Sequence, residues 1–161
     1  MTDSINLQKT HLNVPSLAEQ FQATVNGKPF VAASVTAWSC WRSELRHKPN
    51  RRIWKILATG HVARQGTSIG LFIDQSLGPG TYGLVNNPCI SVVYHKTPRQ
   101  IARVYHSRYF QTGELTLLEC NPDTRRLRGT LEFGMSSINF KLAQGAFNLQ
   151  WINEAQDASA Q

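Results

Sequence analysis

Apolar and polar residues alternate along most of this chain. Leu127, Leu131 and Phe133 share one parity with Gly129, whereas Arg128, Thr130 and Glu132 share the other. A period of two sends successive side chains to opposite faces, so this stretch reads as a strand with one buried face. Leu115 and Leu117 lead towards it through Asn121, Pro122, Asp123 and Thr124. Proline presets φ there, and the Asn and Asp side chains bond locally to backbone, which predicts a hairpin. Ile138/Phe140/Leu142 and Phe147/Leu149/Trp151 alternate likewise on either side of Gln144-Gly145. The expectation is a meander of four consecutive strands.

Upstream, Phe21, Ala23 and Val25 alternate and then meet Asn26-Gly27. That dipeptide suits a type I′ turn, in which both central residues need φ > 0. A return strand is predicted from Pro29-Phe30 through Val35 towards Trp41. Ser43 to Arg52 is the longest polar stretch and is expected to be an irregular loop. Ile53 to Val62 then reads as a long strand, turned at Gln65-Gly66 into Ile69/Leu71/Ile73. Beyond the loop Leu77–Gly80, shorter strands are predicted around Tyr82/Leu84, around Ile90/Val92/Tyr94, and around either Ala102/Val104/His106 or Arg103/Tyr105. Pro15 to Gln20 could make one helical turn. No segment carries apolar residues at i, i+3, i+4 and i+7 over a helical length. The fold expected is therefore all-β, a single antiparallel β-sandwich or flattened barrel of roughly eight to ten strands. Its parts would be an N-terminal arm (1–19), the β-sandwich domain (20–152) and a disordered tail (153–161).

Composition narrows this further. The 161 residues are 41% hydrophobic and 17% charged, values of a globular protein with a core of its own. No apolar run is long enough to make a transmembrane segment. The chain opens without the basic-then-apolar form of a secretory signal, and three widely spaced cysteines (Cys40, Cys89, Cys120) do not form a disulfide framework. A cytoplasmic location is expected. The net charge of +7 is unevenly spread. Residues 45–113 hold ten Lys/Arg against the single acid Asp74, or +9; the remainder holds seven against nine, or −2. Such asymmetry suits an anionic partner, or simply a solvated face that aids solubility.

The catalytic signatures are weak. Gly78, Gly80 and Gly83 match a G-x-G-x-x-G spacing, but no helix pattern follows and no acid lies between Asp74 and Glu114, so the dinucleotide reading is rejected. His11, His47, His61, His95 and His106 show no zinc-type spacing. There is no Gly-x-Ser-x-Gly elbow, and Glu114, Glu119 and Glu132 read as solvent-facing strand residues. No catalytic residue, metal site or cofactor is assigned. Trp38, Trp41 and Trp54 bracket the basic stretch with arginines among them. Aromatics interleaved with Arg can stack nucleobases, and Trp and Arg are also enriched at protein–protein hot spots. A Trp on a strand is ordinarily core.

A set of strand-and-turn motifs runs through the chain: Phe21-x-Ala-x-Val-Asn-Gly-Lys-Pro-Phe30, Pro79-Gly-Thr-Tyr82, Gly113-x-Leu-Thr116 with Asp123, Gly129-Thr-Leu-x-Phe133 and Gly145-x-Phe147. Together they resemble a family of small uncharacterised bacterial β-domains, many of them secreted or lipid-anchored. The resemblance spans about residues 20–150 and implies an all-β fold; it carries no catalytic residues. The chain departs from that pattern in its basic 42–55 segment and in lacking a lipid-attachment cysteine near its start.

The function expected is that of a non-enzymatic binding module engaging an acidic protein partner. A toxin-neutralising immunity protein would be one form of it. The residues expected to carry binding are Trp41, Arg42, Arg46, Lys48, Arg51, Arg52, Arg99, Arg103 and Arg108. The alternative is a small-ligand carrier or enzyme using the interior of the β-structure. Nucleic-acid binding comes third, because no RNP, KH or helix-turn-helix pattern is present.

Overall fold

The computed structural model describes residues 20–42, 51–97 and 102–153. It is an all-β chain. The strands are β1 (Gln20–Val25), β2 (Lys28–Arg42), β3 (Arg51–Val62), β4 (Gln65–Asp74), β5 (Gly80–Gly83) and β6 (Ile90–Thr97). They continue as β7 (Arg103–His106), β8 (Thr112–Asn121), β9 (Arg126–Met135), β10 (Phe140–Gln150) and β11 (Ile152–Asn153). All belong to one sheet, in the order β5-β8-β9-β10-β1-β2-β3-β4-β6-β7, with β11 added in parallel beside β2 and every other pairing antiparallel. No helix among the described residues is long and apolar enough to cross a membrane.

Connectivity forces the sheet to curl. β5 pairs with β8 at one edge, yet the chain enters it from β4 and leaves it for β6, near the other edge. Six residue steps separate Asp74 from Gly80, a reach of at most about 20 Å. The two ends of the sheet must therefore approach each other, and the result is a half-barrel. Rings from strands far apart in the sheet order meet inside it: Tyr94 on β6 lies 4.7 Å from Phe140 on β10.

One parity of nearly every strand supplies the interior. Ile56, Ala58, Ile69, Leu71, Ile73, Leu115, Leu127 and Leu142 are wholly buried there, with Phe21, Phe30, Phe133 and Phe147 among them. Each such isoleucine or leucine side chain contributes about 1.5–3 kcal/mol on leaving water. Gly129 belongs to this inner row because a Cβ would strike the Thr116 carbonyl and come within 2.7 Å of the Phe147 ring.

Several expectations shift by a residue or an element. The meander has three strands, not four, because Phe140–Gln150 is a single strand whose register slips between Leu142 and Gly145. Gln144 takes φ 52° at this bulge. The extra residue moves the inner face from Leu142 to Phe147, which is why the run looked like two strands. Ile138 lies in a short 3₁₀ turn before β10. A second bulge, between Ala32 and Ser34, moves the inner face of β2 from Phe30 to Val35 and Ala37. The β3–β4 turn falls at Ala63-Arg64, so Gln65 and Gly66 already belong to β4. Arg51 and Arg52, placed in a loop by their polarity, open β3. Asn153, assigned to the tail, belongs to β11. Asn26-Gly27 turns as expected, with φ of 50° and 79°. Asn26 also clamps β10, its N–H donating to the Lys141 carbonyl and its Oδ1 accepting from the Lys141 N–H, both at 2.8 Å.

Candidate functional site

The β2–β3 ladder ends in a polar cluster at one mouth of the half-barrel. Trp41 lies opposite Arg52, and Ser39 opposite Trp54. All four share the inner parity with Ile56, but at the strand ends, where water begins. Arg52 donates from Nη2 to Ser39 Oγ at 2.6 Å, and its guanidinium lies 5.3 Å over the Trp41 ring. Gln75 donates from Nε2 to the same Ser39 Oγ at 2.7 Å and to the Ile53 carbonyl at 3.0 Å. Two donors occupy both lone pairs of the Ser39 hydroxyl, so its own proton points to a further acceptor. Trp54 packs against Trp151 at 5.6 Å, and its Nε1–H is buried with no hydrogen-bond partner. The cluster is rich in donors. The nearby acid, Asp74, pairs with Ile53 on the opposite parity, and its Oδ1 accepts from the Ser76 N–H.

The residues expected to carry binding do not form one face. Trp41 is half-exposed and touches Arg52. Arg42 and Arg51 are described by their backbone, which closes the β2–β3 ladder beside them. Arg46, Lys48 and Arg99 lie outside the described residues. Arg103 pairs with Lys96, and that row continues through Thr67 to Gly60. Gly60 is eight residues along β3 from Arg52, about 26 Å at about 3.3 Å per residue. Arg103 therefore belongs to the other mouth. Arg108 stands in the 3₁₀ turn after β7, its guanidinium 4.8 Å over Tyr109.

Sequence reasoning missed Ser39 and Gln75, which joined the cluster through cross-strand register. It also left out Lys55 and Lys96. Lys55, on the outer face, sits 5.9 Å from both the Trp38 and Phe72 rings, and Lys96 lies 6.0 Å from Tyr105. Spacing by two along β3 could have found Lys55; its aromatic neighbours come from other strands. Trp54 on β3 and Trp151, just after β10, are core.

Reactive chemistry gains little. Ser91 Oγ and His106 Nε2 are 3.0 Å apart, but the Arg108 N–H donates to His106 Nδ1. The neutral ring then carries its proton on Nε2 and donates towards Ser91 instead of withdrawing the hydroxyl proton. His61, His95 and His106 share the outer side of the sheet without converging, and no group of metal-binding side chains occurs among the described residues. Burial, with a smaller contribution from Glu119, pushes the Cys120 thiol above its ordinary range, which disfavours the reactive thiolate. Phe21, Phe30, Phe133, Phe140 and Phe147 fill the interior. A groove of ≈ 460 Å³ between Gln20–Gln22 and Ala32–Val35 follows the bulge in β2.

The chain matches no family model, no curated protein and no solved structure. The motifs behind the family resemblance here form the Asn26-Gly27 turn and parts of β5, β8, β9 and β10.

Proposed function

We propose that this protein is a non-enzymatic binding module whose cation-bearing half, β2-β3-β4-β6-β7, engages an acidic protein surface. The observation that carries the reading is the company its cations keep. Arg52, Lys55, Lys96 and Arg108 each lie over an aromatic ring, and among the described residues none of them is ion-paired with a carboxylate. In the other half Arg128 pairs with Glu119 at 3.5 Å. A cation over a ring gains only about 0.5–1 kcal/mol at an exposed site, and its N–H groups stay free to donate. The same arrangement favours an acidic polypeptide over single-stranded nucleic acid. Base stacking needs open ring faces, and here Trp41, Trp38, Phe72, Tyr105 and Tyr109 each have a cation over one face. Occluding an acidic site on a harmful enzyme would be one use of such a module.

The test is binding of a labelled oligo-glutamate peptide and of an oligothymidylate of equal charge, followed across a salt series. The expected result is tighter binding of the peptide, with an association rate that falls as salt is added. Arg51→Glu combined with Arg52→Glu should slow association further. Preference for the oligothymidylate, or a double variant that associates like the parent, would count against the reading.

A further inference from the structure

We infer that the mouth built from Ser39, Trp41, Arg52, Gln75 and Trp54 is an anchor that receives one carboxylate of the acidic partner. The inference rests on the function proposed above and names the place where recognition concentrates. Three observations converge. The Trp54 indole N–H, on a residue only 5% exposed, has no acceptor. A buried donor left unpaired is costly, and such a group in a native fold calls for an explanation. Ser39 is 3% exposed and accepts from both Arg52 and Gln75, which orients its hydroxyl as a donor. Arg52 uses Nη2 on Ser39 and rests on Trp41, so its guanidinium is held in place with most of its N–H donors unspent.

This is the donor set a carboxylate needs. Arginine presents a planar fork, a carboxylate accepts on two oxygens, and the pairing is both directional and charge-assisted. The partner side chain would meet a cation already fixed by Ser39 and Trp41, so little freedom is lost on docking. Trp41, half-exposed beside Arg52, would shield the pair from water. A buried Arg and Trp at the centre of a contact, surrounded by weaker contributors, is the usual make-up of a hot spot. The other mouth differs. Among the described residues, no hydroxyl is hydrogen-bonded to Arg103 or Lys96 and no buried donor beside them lacks an acceptor, and they serve encounter more than anchoring.

The decisive experiment measures oligo-glutamate affinity for Arg52→Gln, for Trp54→Phe and for the double variant Lys96→Gln with Arg103→Gln. Trp54→Phe keeps an aromatic ring at the position and deletes the unpaired donor, together with the pyrrole part of the indole. Arg52→Gln and Trp54→Phe are each expected to weaken binding about tenfold or more, as hot-spot truncations do; the distant double variant should weaken it about twofold or less. Thermal unfolding of each variant checks the fold, and Arg52→Gln, on the solvent side, carries the test if Trp54→Phe unfolds. Equal losses at both mouths, or parental affinity in Trp54→Phe, overturn the anchor while leaving the acidic-partner reading standing. Tighter binding of the oligothymidylate overturns both.

Discussion

The two halves of the half-barrel have matching inner faces and contrasting outer ones. In the half formed by β5-β8-β9-β10-β1 the outer positions are Glu114, Thr116, Glu119, Arg128, Thr130, Glu132, Asn148 and Gln22, of mixed charge and partly paired with each other. In the half formed by β2-β3-β4-β6-β7 the same positions hold Trp38, Lys55, Leu57, Phe72, Val93 and His95, with cations and rings in contact. The inner faces share one core and hold the fold. The outer face of the second half also buries Cys40 and Ile53 against Phe72, with Lys55 beside that ring. The two halves thus share one core inside the curl and differ in the chemistry of their outer faces.

Breaking an inner face in either half should cost most, and about equally. Leu71→Ala in β4 and Leu131→Ala in β9, in the other half, should each lose about 2–5 kcal/mol in urea unfolding, the range for buried leucines. A loss confined to one half would mean that the halves do not share a core. Gly129→Val should follow at about 3 kcal/mol, because the new side chain meets the Thr116 carbonyl and the Phe147 ring.

Titration sharpens the comparison next. Burial raises the Tyr94 hydroxyl above its ordinary 10.0, with a smaller push from Tyr105, against a hydrogen bond to Thr67 that lowers it. Cys120, in the other half, is raised above 9.0 by burial and then by Glu119. Each group holds its proton more tightly when folded. The stability they support is complete below the unfolded values and declines as pH climbs through and beyond them, since the unfolded chain then binds fewer protons. Unfolding free energy should therefore fall from about pH 9 upward, first through Cys120 and then through Tyr94. Cys120→Ser and Tyr94→Phe should each flatten their own part of that decline; an unchanged alkaline slope in both would show that neither group is responsible.

The smallest effects belong to the outer faces. Glu114 and Glu132 stand directly opposite each other, a like-charge pair that cross-strand packing disfavours. Glu132→Lys should stabilise by about 0.5 kcal/mol. Lys55→Glu should change stability by no more than about 0.5 kcal/mol, yet weaken oligo-glutamate binding. A large stability loss from Lys55→Glu would show that the cation is structural.

The alternation of apolar and polar residues was enough to assign β3, β4, β6, β8 and β9 and to name Leu71, Leu127 and Phe133 as core. It was enough because side-chain period is a property of the strand itself. Bulges defeated it: one inserted residue reverses parity, which made β10 look like two strands and hid the continuous inner face of β2. Polarity misplaced Arg51 and Arg52 for a related reason, since strand ends at a barrel mouth meet water just as loops do.

What the residues determined alone was an all-β chain with one buried side and a surplus of cations in its middle. Only the tertiary structure decided that Arg52 and Arg103 lie at opposite mouths, that Ser39 and Gln75 converge on Arg52, and that the Trp54 indole N–H is enclosed without an acceptor. Those relations arise from cross-strand register and from the curl that β5 imposes by joining the far edge. Both depend on pairings between segments distant along the chain, which no local pattern of side chains encodes.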